Sequence, residues 1–117
     1  MNGVNKVILV GRLGADPEVK RAQSGKEFTV LAVATNETYT PKDGEKQTTT
    51  EWHRVMVWGK AGQMCQEFLT KGREVYIEGK IRSFNYDDDG TKKFSSSIHA
   101  DRVTFLGKGK NGGEDNN

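Results

Sequence analysis

The segment Thr50–Lys60, TEWHRVMVWGK, alternates residue by residue as an extended strand does. A strand places successive side chains on opposite faces. One face would carry Val55 and Val57, and the other would carry Trp52, Arg54, Met56, Trp58 and Lys60. Both tryptophans of the chain would then share a face with cations, which favours contact with flat, anionic groups such as bases and phosphates. The alternative is that the two indoles belong to the core and the valines face outward.

The composition suits one small domain built mainly from strands. The chain has 117 residues, 33% hydrophobic and 29% charged, with 14 glycines and only two prolines. That hydrophobic content is low for a helical bundle but sufficient for a small β-barrel, and the glycines indicate many turns and close backbone approaches. The net charge of +2 is too small to indicate a nucleic-acid partner by itself.

The cysteine and histidine content and the N-terminal sequence exclude several kinds of site and targeting segment. A single cysteine, Cys65, excludes an intrachain disulfide, and His53 and His99 are too few and too far apart for a zinc site. The N-terminus has no signal-peptide pattern, and no segment reaches transmembrane length. We therefore expect a cytoplasmic protein without a cofactor or metal.

Four further long segments have the alternation or the β-branched residues of strands. They are Val4–Leu13, Lys26–Asn36, Arg73–Tyr86 and Lys92–Leu106, with a short extended piece at Glu18–Arg21. Asp87–Gly90 predicts a hairpin turn, and the last strand is expected to bend near Ala100–Asp101. The polar segment Glu37–Thr49 predicts a long, mobile loop. Its Tyr39 and Lys42 either close over a ligand or belong to an ordinary hairpin tip.

Between the third and fourth long strands, the segment Ala61–Lys71 follows the period of an α-helix. Its apolar residues form one stripe of Ala61, Met64, Cys65, Phe68 and Leu69. Lys71 suits the negative end of the helix dipole, and Gly72 suits the C′ position just beyond the helix. We interpret Met64 and Cys65 as packing groups rather than ligands or redox groups.

This order of elements predicts an all-β protein with small α content, a five-stranded oligonucleotide-binding (OB) barrel over residues 1–106. Its helix would lie between strands 3 and 4. In such a barrel the second and third strands and their flanking loops form the binding face. The aromatic residues in those places are Trp52, Trp58, Tyr39 and Tyr86. Their placement favours outward rather than core positions for the two tryptophans.

The strings VNKVILVGRLGADPEV, TEWHRVMVWGK, FLTKG and VYIEGKIR resemble the bacterial single-stranded DNA-binding protein family. The resemblance extends from about Asn5 to Leu106. It implies a non-enzymatic protein that binds and protects single-stranded DNA in replication, recombination and repair, in the cytoplasm at the nucleoid. It also implies a homotetramer that wraps the DNA around its outside.

The family's stacking positions map onto the four aromatic residues named above. Family members often have tryptophan where this chain has Tyr39 and Tyr86, and phenylalanine where it has Trp58, and each exchange keeps a π face. Phe84 and Met56 either contact DNA or pack against a neighbour. The cations expected to contact phosphates are Arg54, Lys60, Lys42, Arg82, Lys71 and Arg73.

The resemblance also implies contacts between subunits. In the family the first strand pairs with its copy across a dimer axis, one histidine lies at a subunit interface, and a Tyr-x-Glu pair lies where two dimers meet. The residues of this chain at those positions are Asn5, Val7, Leu9, His53, Tyr76 and Glu78.

The last segment, Gly107–Asn117, has no apolar residue, which predicts a disordered polar tail. Family members carry a longer tail with an acidic, hydrophobic tip that recruits replication and repair enzymes, whereas this chain ends in EDNN. It is either a truncated binding domain or a tailless relative. Replication and repair proteins are expected partners only if such a tip exists beyond this chain.

Two other classes of function compete with DNA binding. An OB barrel can serve as a protein-docking adaptor in the replication machinery, with its aromatic face against another protein. The sequence does not support the alternative of a nuclease, because His53 and His99 lack a catalytic partner and no spaced cluster of carboxylates could bind two metal ions.

Overall fold

The computed structural model describes residues 1–107, with the side chains of Phe84, Tyr86 and Asp88 outside that description. The predicted roles of Phe84 and Tyr86 in DNA binding therefore fall outside the described residues. So does the predicted disordered tail beyond Gly107. In residues 1–107 no helix is both long enough and apolar enough to cross a membrane.

Six strands and one helix form the described part of the chain. They are β1 (Val7–Leu13), β2 (Glu18–Arg21), β3 (Glu27–Tyr39), β4 (Gln47–Trp58), α1 (Gly59–Phe68), β5 (Glu74–Asp88) and β6 (Thr91–Leu106). The strands form one sheet in the order β1-β5-β6-β4-β3-β2, and β1 also pairs with β3. Five strands thus close into a barrel, and β2 extends it by pairing with the start of β3. The predicted barrel with one helix is confirmed, but α1 follows the fourth strand rather than the third because β2 counts as a strand.

The core lies inside this barrel and comes from alternate residues of the long strands. Leu31 and Val33 of β3, Val55 of β4 and Ile77 of β5 have no exposed surface, and Val57 is 1% exposed. Burying a side chain of this size contributes about 1.5–3 kcal/mol. Because the valines of β4 point inward, the two tryptophans of that strand lie on its outward face. The alternative in which the indoles form the core is therefore wrong.

Two glycines allow the strands to cross closely where the barrel bends. A β-carbon on Gly11 would collide with the carbonyl oxygen of Ala34, and one on Gly79 would collide with that of His99. Opposite Gly79 the register of β6 shifts, and Asp101 is the extra residue of a bulge. This bulge confirms the bend predicted near Ala100–Asp101, since bulges increase the local twist of a strand.

The helix begins and ends earlier than its periodicity predicted. It starts at Gly59, whose φ of +66° turns the chain directly out of β4, and it ends at Phe68. Its buried residues are Gly62 and Cys65, whereas Met64 and Phe68 are 41% and 42% exposed. The predicted stripe is thus only partly correct, because the close approach of Gly62 to β3 sets which side of the helix meets the barrel.

The chain after the helix is held by the barrel rather than by a glycine cap. Leu69 is extended and 1% exposed, so its burial in the core ends the helix before Lys71 is reached. The backbone N–H of Lys71 donates to the carboxylate of Asp16 (2.8 Å), and the N–H of Gly72 donates to the carbonyl of Leu13 (2.8 Å). Gly72 has a φ of +91°, but it lies four residues beyond Phe68 and is not the C′ residue.

The predicted long loop between the second and third long strands is much shorter in the structure. β3 and β4 remain paired as far as Tyr39 and Gln47, which leaves residues 40–46 as the connection. Cross-strand bonds extend the ladder beyond the core, since the Thr50 hydroxyl donates to Oδ1 of Asn36 at 2.7 Å. The segment is therefore a long hairpin with a short tip.

Candidate nucleic-acid interface

The outward face of β4 presents two indoles and a guanidinium in sequence. Trp52 is 60% exposed, Arg54 is exposed, and Met56 and Trp58 are half-buried. Cavities of about 250 and 320 Å³ flank Trp52 and Arg54, one toward β6 and one toward β3. The strand therefore presents two indole rings and an exposed cation between two open grooves.

The Trp52 ring rests on backbone rather than on other rings. A β-carbon on Gly14, in the turn after β1, would overlap the six-membered ring of Trp52. Across the ladder, the partner of Trp52 on β3 is Ala34. Two minimal side chains thus leave space for a large ring, and most of that ring stays exposed to solvent.

Trp58 has aromatic neighbours on both adjoining strands. Its ring centroid lies 4.7 Å from that of Phe28 on β3 and 6.3 Å from that of His99 on β6. The indole Nε1–H donates to Nδ1 of His99 at 3.3 Å. A neutral imidazole nitrogen can accept this bond, whereas a protonated one cannot.

The surroundings of His99 favour the neutral form that this bond requires. Burial, followed by the positive charges of Arg82 and Lys80, lowers the pKa of His99 below its ordinary value of 6.5. Both cations lie on β5, where Lys80 is the direct partner of His99. At neutral pH the imidazole is therefore an acceptor and holds the Trp58 indole in place.

The hairpin tip supplies the remaining described ring of the predicted stacking set. Tyr39 is 53% exposed, and its hydroxyl donates to Oε1 of Gln47 at 3.1 Å. Lys42 is exposed in the connection of residues 40–46. By the register of β3 and β4, Tyr39 lies on the face of the hairpin that carries Leu31 and Val33, opposite to the face of Trp52 and Trp58.

The predicted phosphate-binding cations fall into two groups. The exposed ones are Arg54, Lys60, Lys42, Arg82 and Lys71. Lys60 lies on α1, because β4 ends at Trp58 instead of continuing through the predicted strand. Arg73 differs from all of these: it is 8% exposed, and its Nε–H donates to the carbonyl of Leu106 at 2.7 Å. Its guanidinium also lies 5.8 Å from the centroid of Phe105, so its visible contacts are structural.

Apart from His53 on β4, the residues predicted at subunit contacts lie on or beside β1 and β5. The side-chain amide of Asn5 donates to the carbonyl of Ile81 at 2.9 Å, and Val7 and Leu9 pack against the core. The exposed apolar residues of β1 are instead Ile8 and Val10, at 56% and 51% exposure.

Across from them on β5 lie Glu78 and Tyr76, the register partners of Ile8 and Val10. The Tyr76 hydroxyl donates to Glu78 at 3.4 Å, and Lys6 forms an ion pair with Glu78 at 3.3 Å. His53 is half-buried and shares a hydrogen bond of 2.9 Å with the hydroxyl of Thr35. We use the name β1–β5 patch for four residues on these two strands: Ile8, Val10, Tyr76 and Glu78.

A further cavity lies beside Trp58. It has a volume of about 650 Å³ and opens between the turn that joins β2 to β3 and the first turns of α1. Phe28 and Trp58 contribute to its wall, together with cationic and amide side chains. In residues 1–107 no group of three or more His, Cys, Asp or Glu side chains is placed to hold a metal ion.

Comparison with known proteins gives this barrel a family. The model of the single-strand binding protein family matches residues 4–106. The chain belongs to this family. Single-stranded DNA-binding protein 1 of Chlorobaculum tepidum is 41% identical over 113 residues, which are 95% of this chain and 70% of the relative. The single-stranded DNA-binding protein of Xylella fastidiosa strain Temecula1 is 45% identical over 112 residues, 95% of this chain and 68% of the relative.

Solved structures of single-strand binding proteins have the same barrel. The Plasmodium falciparum protein in complex with single-stranded DNA superposes with a TM-score of 0.79 at 27% identity, over 92% of this chain and 98% of the other. A deletion mutant of the Thermus aquaticus protein gives a TM-score of 0.77 at 28% identity, over 90% of this chain and 51% of the other. The predicted OB fold is thereby confirmed.

Three residues around the candidate site were not predicted from the sequence. Phe28 and His99 flank Trp58, and Gly14 supports Trp52. Their only sequence signal is residue type, because their proximity to the tryptophans depends on pairing between distant strands.

Proposed function

We propose that this chain binds single-stranded DNA with little sequence preference. The observation that carries the proposal is the outward face of β4, where Trp52 and Trp58 stand above the buried Val55 and Val57 with Arg54 between them. The relatives named single-stranded DNA-binding proteins, and the structure solved with single-stranded DNA, support it.

Two physical terms would drive this binding. Each base stacked on an aromatic ring contributes about 1–3 kcal/mol, with little preference among bases because every base has a π face. Exposed cations near the rings neutralise phosphates and release counterions, with a log–log salt slope of about −0.7 per phosphate on single strands. Duplex DNA should bind poorly because its bases already stack on one another. We place this activity in the replication, recombination and repair of DNA, as a non-catalytic protein of the cytoplasm at the nucleoid.

A fluorescence titration tests the proposal directly. We expect oligothymidylate to quench the tryptophan emission, and the affinity to fall steeply as salt is added. The same sequence annealed into a duplex is the matched control and should quench weakly. Emission that does not respond to the single strand would refute the proposal and favour the alternative function, a protein-docking adaptor.

We also propose that the chain assembles as a homotetramer through the β1–β5 patch and the neighbourhood of His53. Two half-exposed aliphatic side chains, Ile8 and Val10, lie beside the polar pair of Tyr76 and Glu78, a mixture that suits a contact between copies. Light scattering at micromolar concentration should give a tetramer mass. Replacing His53 by glutamate should favour smaller species, whereas a monomer mass for the unaltered chain would refute the assembly.

A further inference from the structure

The cavity beside Trp58 has the chemistry of a nucleotide site rather than of an apolar pocket. We propose that it takes one nucleobase and the adjoining phosphate of the strand that stacks on Trp58. This inference rests on the proposed function and extends the binding surface from Trp58 to residues that were not predicted to bind DNA. The volume of about 650 Å³ falls in the range of small-ligand sites, which is about 300–1,000 Å³.

An aromatic pair forms the wall of the cavity. Phe28 and Trp58 are direct register partners on β3 and β4, so both rings stand on the same outward face. Their centroids are 4.7 Å apart with the ring planes tilted by 36°. Because nucleobases stack on aromatic side chains irrespective of sequence, this pair provides a larger stacking surface than Trp58 alone.

A cationic rim lies at the turn that precedes β3. The Arg21 guanidinium forms an ion pair with Glu27 at 2.8 Å and donates to the carbonyl of Gly25 at 3.3 Å, which holds it at the opening. Lys26 adds a second positive charge, so the rim is net positive after Glu27 is counted. An arginine fixed in this way can receive a phosphate without first losing side-chain freedom.

Amide side chains of α1 form the opposite wall. The side-chain N–H of Gln66 donates to the Thr29 hydroxyl at 2.7 Å, and that hydroxyl donates to the carbonyl of Gly62 at 3.0 Å. This chain of bonds orients one amide, and Gln63, one helical turn before it, lines the same cavity. An amide offers both donors and an acceptor, so it can pair with the edge of any base.

Affinity measurements on two variants test the site. Phe28→Leu removes the ring but keeps an apolar side chain, and Gln63→Ala removes an exposed amide that the fold does not need. We expect Phe28→Leu to weaken binding of oligothymidylate by about fivefold or more, the lower bound for a lost stacking contact. Gln63→Ala should weaken it by about fivefold, since a hydrogen bond contributes on the order of 1 kcal/mol. The matched control is Gln23→Ala. Gln23 lies in the turn between β2 and β3 but does not line the cavity, so this variant should bind as the unaltered chain does.

Photocrosslinking provides a readout that does not depend on how well a variant folds. Oligothymidylate carrying 5-iododeoxyuridine should crosslink to Phe28 or to Gln63 in the unaltered chain. Absence of those crosslinks, together with unchanged affinity in both variants while the unaltered chain still binds, would overturn the site and leave the proposed function standing. If the unaltered chain does not bind the single strand at all, both the site and the proposed function fail.

Discussion

The two ends of the outward face of β4 carry the same side chain in different surroundings. Trp52 is 60% exposed and lies over the backbone of Gly14, with no ring contact among the described residues. Trp58 is half-buried, packs against Phe28 and bonds to His99. One indole is therefore positioned by the absence of side chains around it, and the other by specific partners.

This difference separates two costs of binding. A ring that is already fixed loses little freedom when a base stacks on it, whereas a freer ring must be ordered at that moment. Trp58 should thus be the preorganised contact, whereas Trp52 has the larger exposed ring area for a base to stack on. Substitutions at each indole test whether the two rings differ in this way.

The largest effects should come from removing each indole. Trp52→Ala and Trp58→Ala should each weaken oligothymidylate binding by about 1–3 kcal/mol, roughly 5- to 150-fold, because a stacked base loses its ring. Labelled-DNA anisotropy measures this without tryptophan emission. Only Trp58→Ala should also lower the free energy of unfolding in urea, by about 1 kcal/mol or more, since it removes an aromatic pair and a hydrogen bond. Equal losses of stability at both ends would contradict the comparison.

The next effect should come from filling the space under Trp52. Gly14→Ala places a methyl group where the six-membered ring lies, so the ring must leave its position. A side chain forced about 30° off its rotamer costs about 0.5–1.5 kcal/mol, and we expect a loss of affinity of that order. Gly3→Ala is the matched control, because nothing lies within 4 Å of the added carbon. Normal affinity in Gly14→Ala would mean that Trp52 needs no fixed position.

A smaller effect should follow the protonation of His99. Its pKa is lowered on folding, so the unfolded chain binds more protons in this range, and stability from this group is lost as pH falls below 6.5. The charged groups on the neighbouring strand β5 are Lys80 and Arg82. On β4, Arg54 lies two residues before Met56, the register partner of His99, and Asp101 lies two residues after His99 on its own strand.

Acrylamide quenching can follow this change in a Trp52→Phe background, where Trp58 is the only indole. Quenching of Trp58 should rise as the pH is lowered below 6.5, because the pKa of the folded imidazole lies below that value and protonation removes the acceptor. His99→Asn, which keeps an acceptor and does not titrate, should give a flat profile. His53→Asn should keep the profile of the parent, and a rise that persists in His99→Asn would exclude His99 as its source.

The smallest effect should be a difference in tryptophan emission wavelength, measured on the protein without DNA. With one indole left at a time, Trp58→Phe leaves the exposed Trp52 and Trp52→Phe leaves the half-buried Trp58. Emission should lie at longer wavelength in Trp58→Phe, because its remaining indole is in water. Identical spectra would show that the two environments are the same in solution.

Much of the fold followed from local patterns. Period-two alternation predicted the strands and the inward direction of Val55 and Val57, and the Asp87–Gly90 turn was read from residue type. The helix was found but misplaced by two to three residues, since its ends depend on Gly59 leaving β4 and on Leu69 entering the core. The hairpin of β3 and β4 was underestimated because its polar tip carries no hydrophobic alternation.

The outward aromatic face could be predicted from the sequence, since alternation along one strand is a local property of the backbone. So could the family, through strings long enough to be specific. The neighbours of each indole became known from the fold: Gly14 lies under Trp52, and Phe28 and His99 lie beside Trp58. Those neighbours are brought together by strand pairing and barrel closure over long stretches of chain. Such contacts depend on register and on turns between elements, which no local pattern encodes.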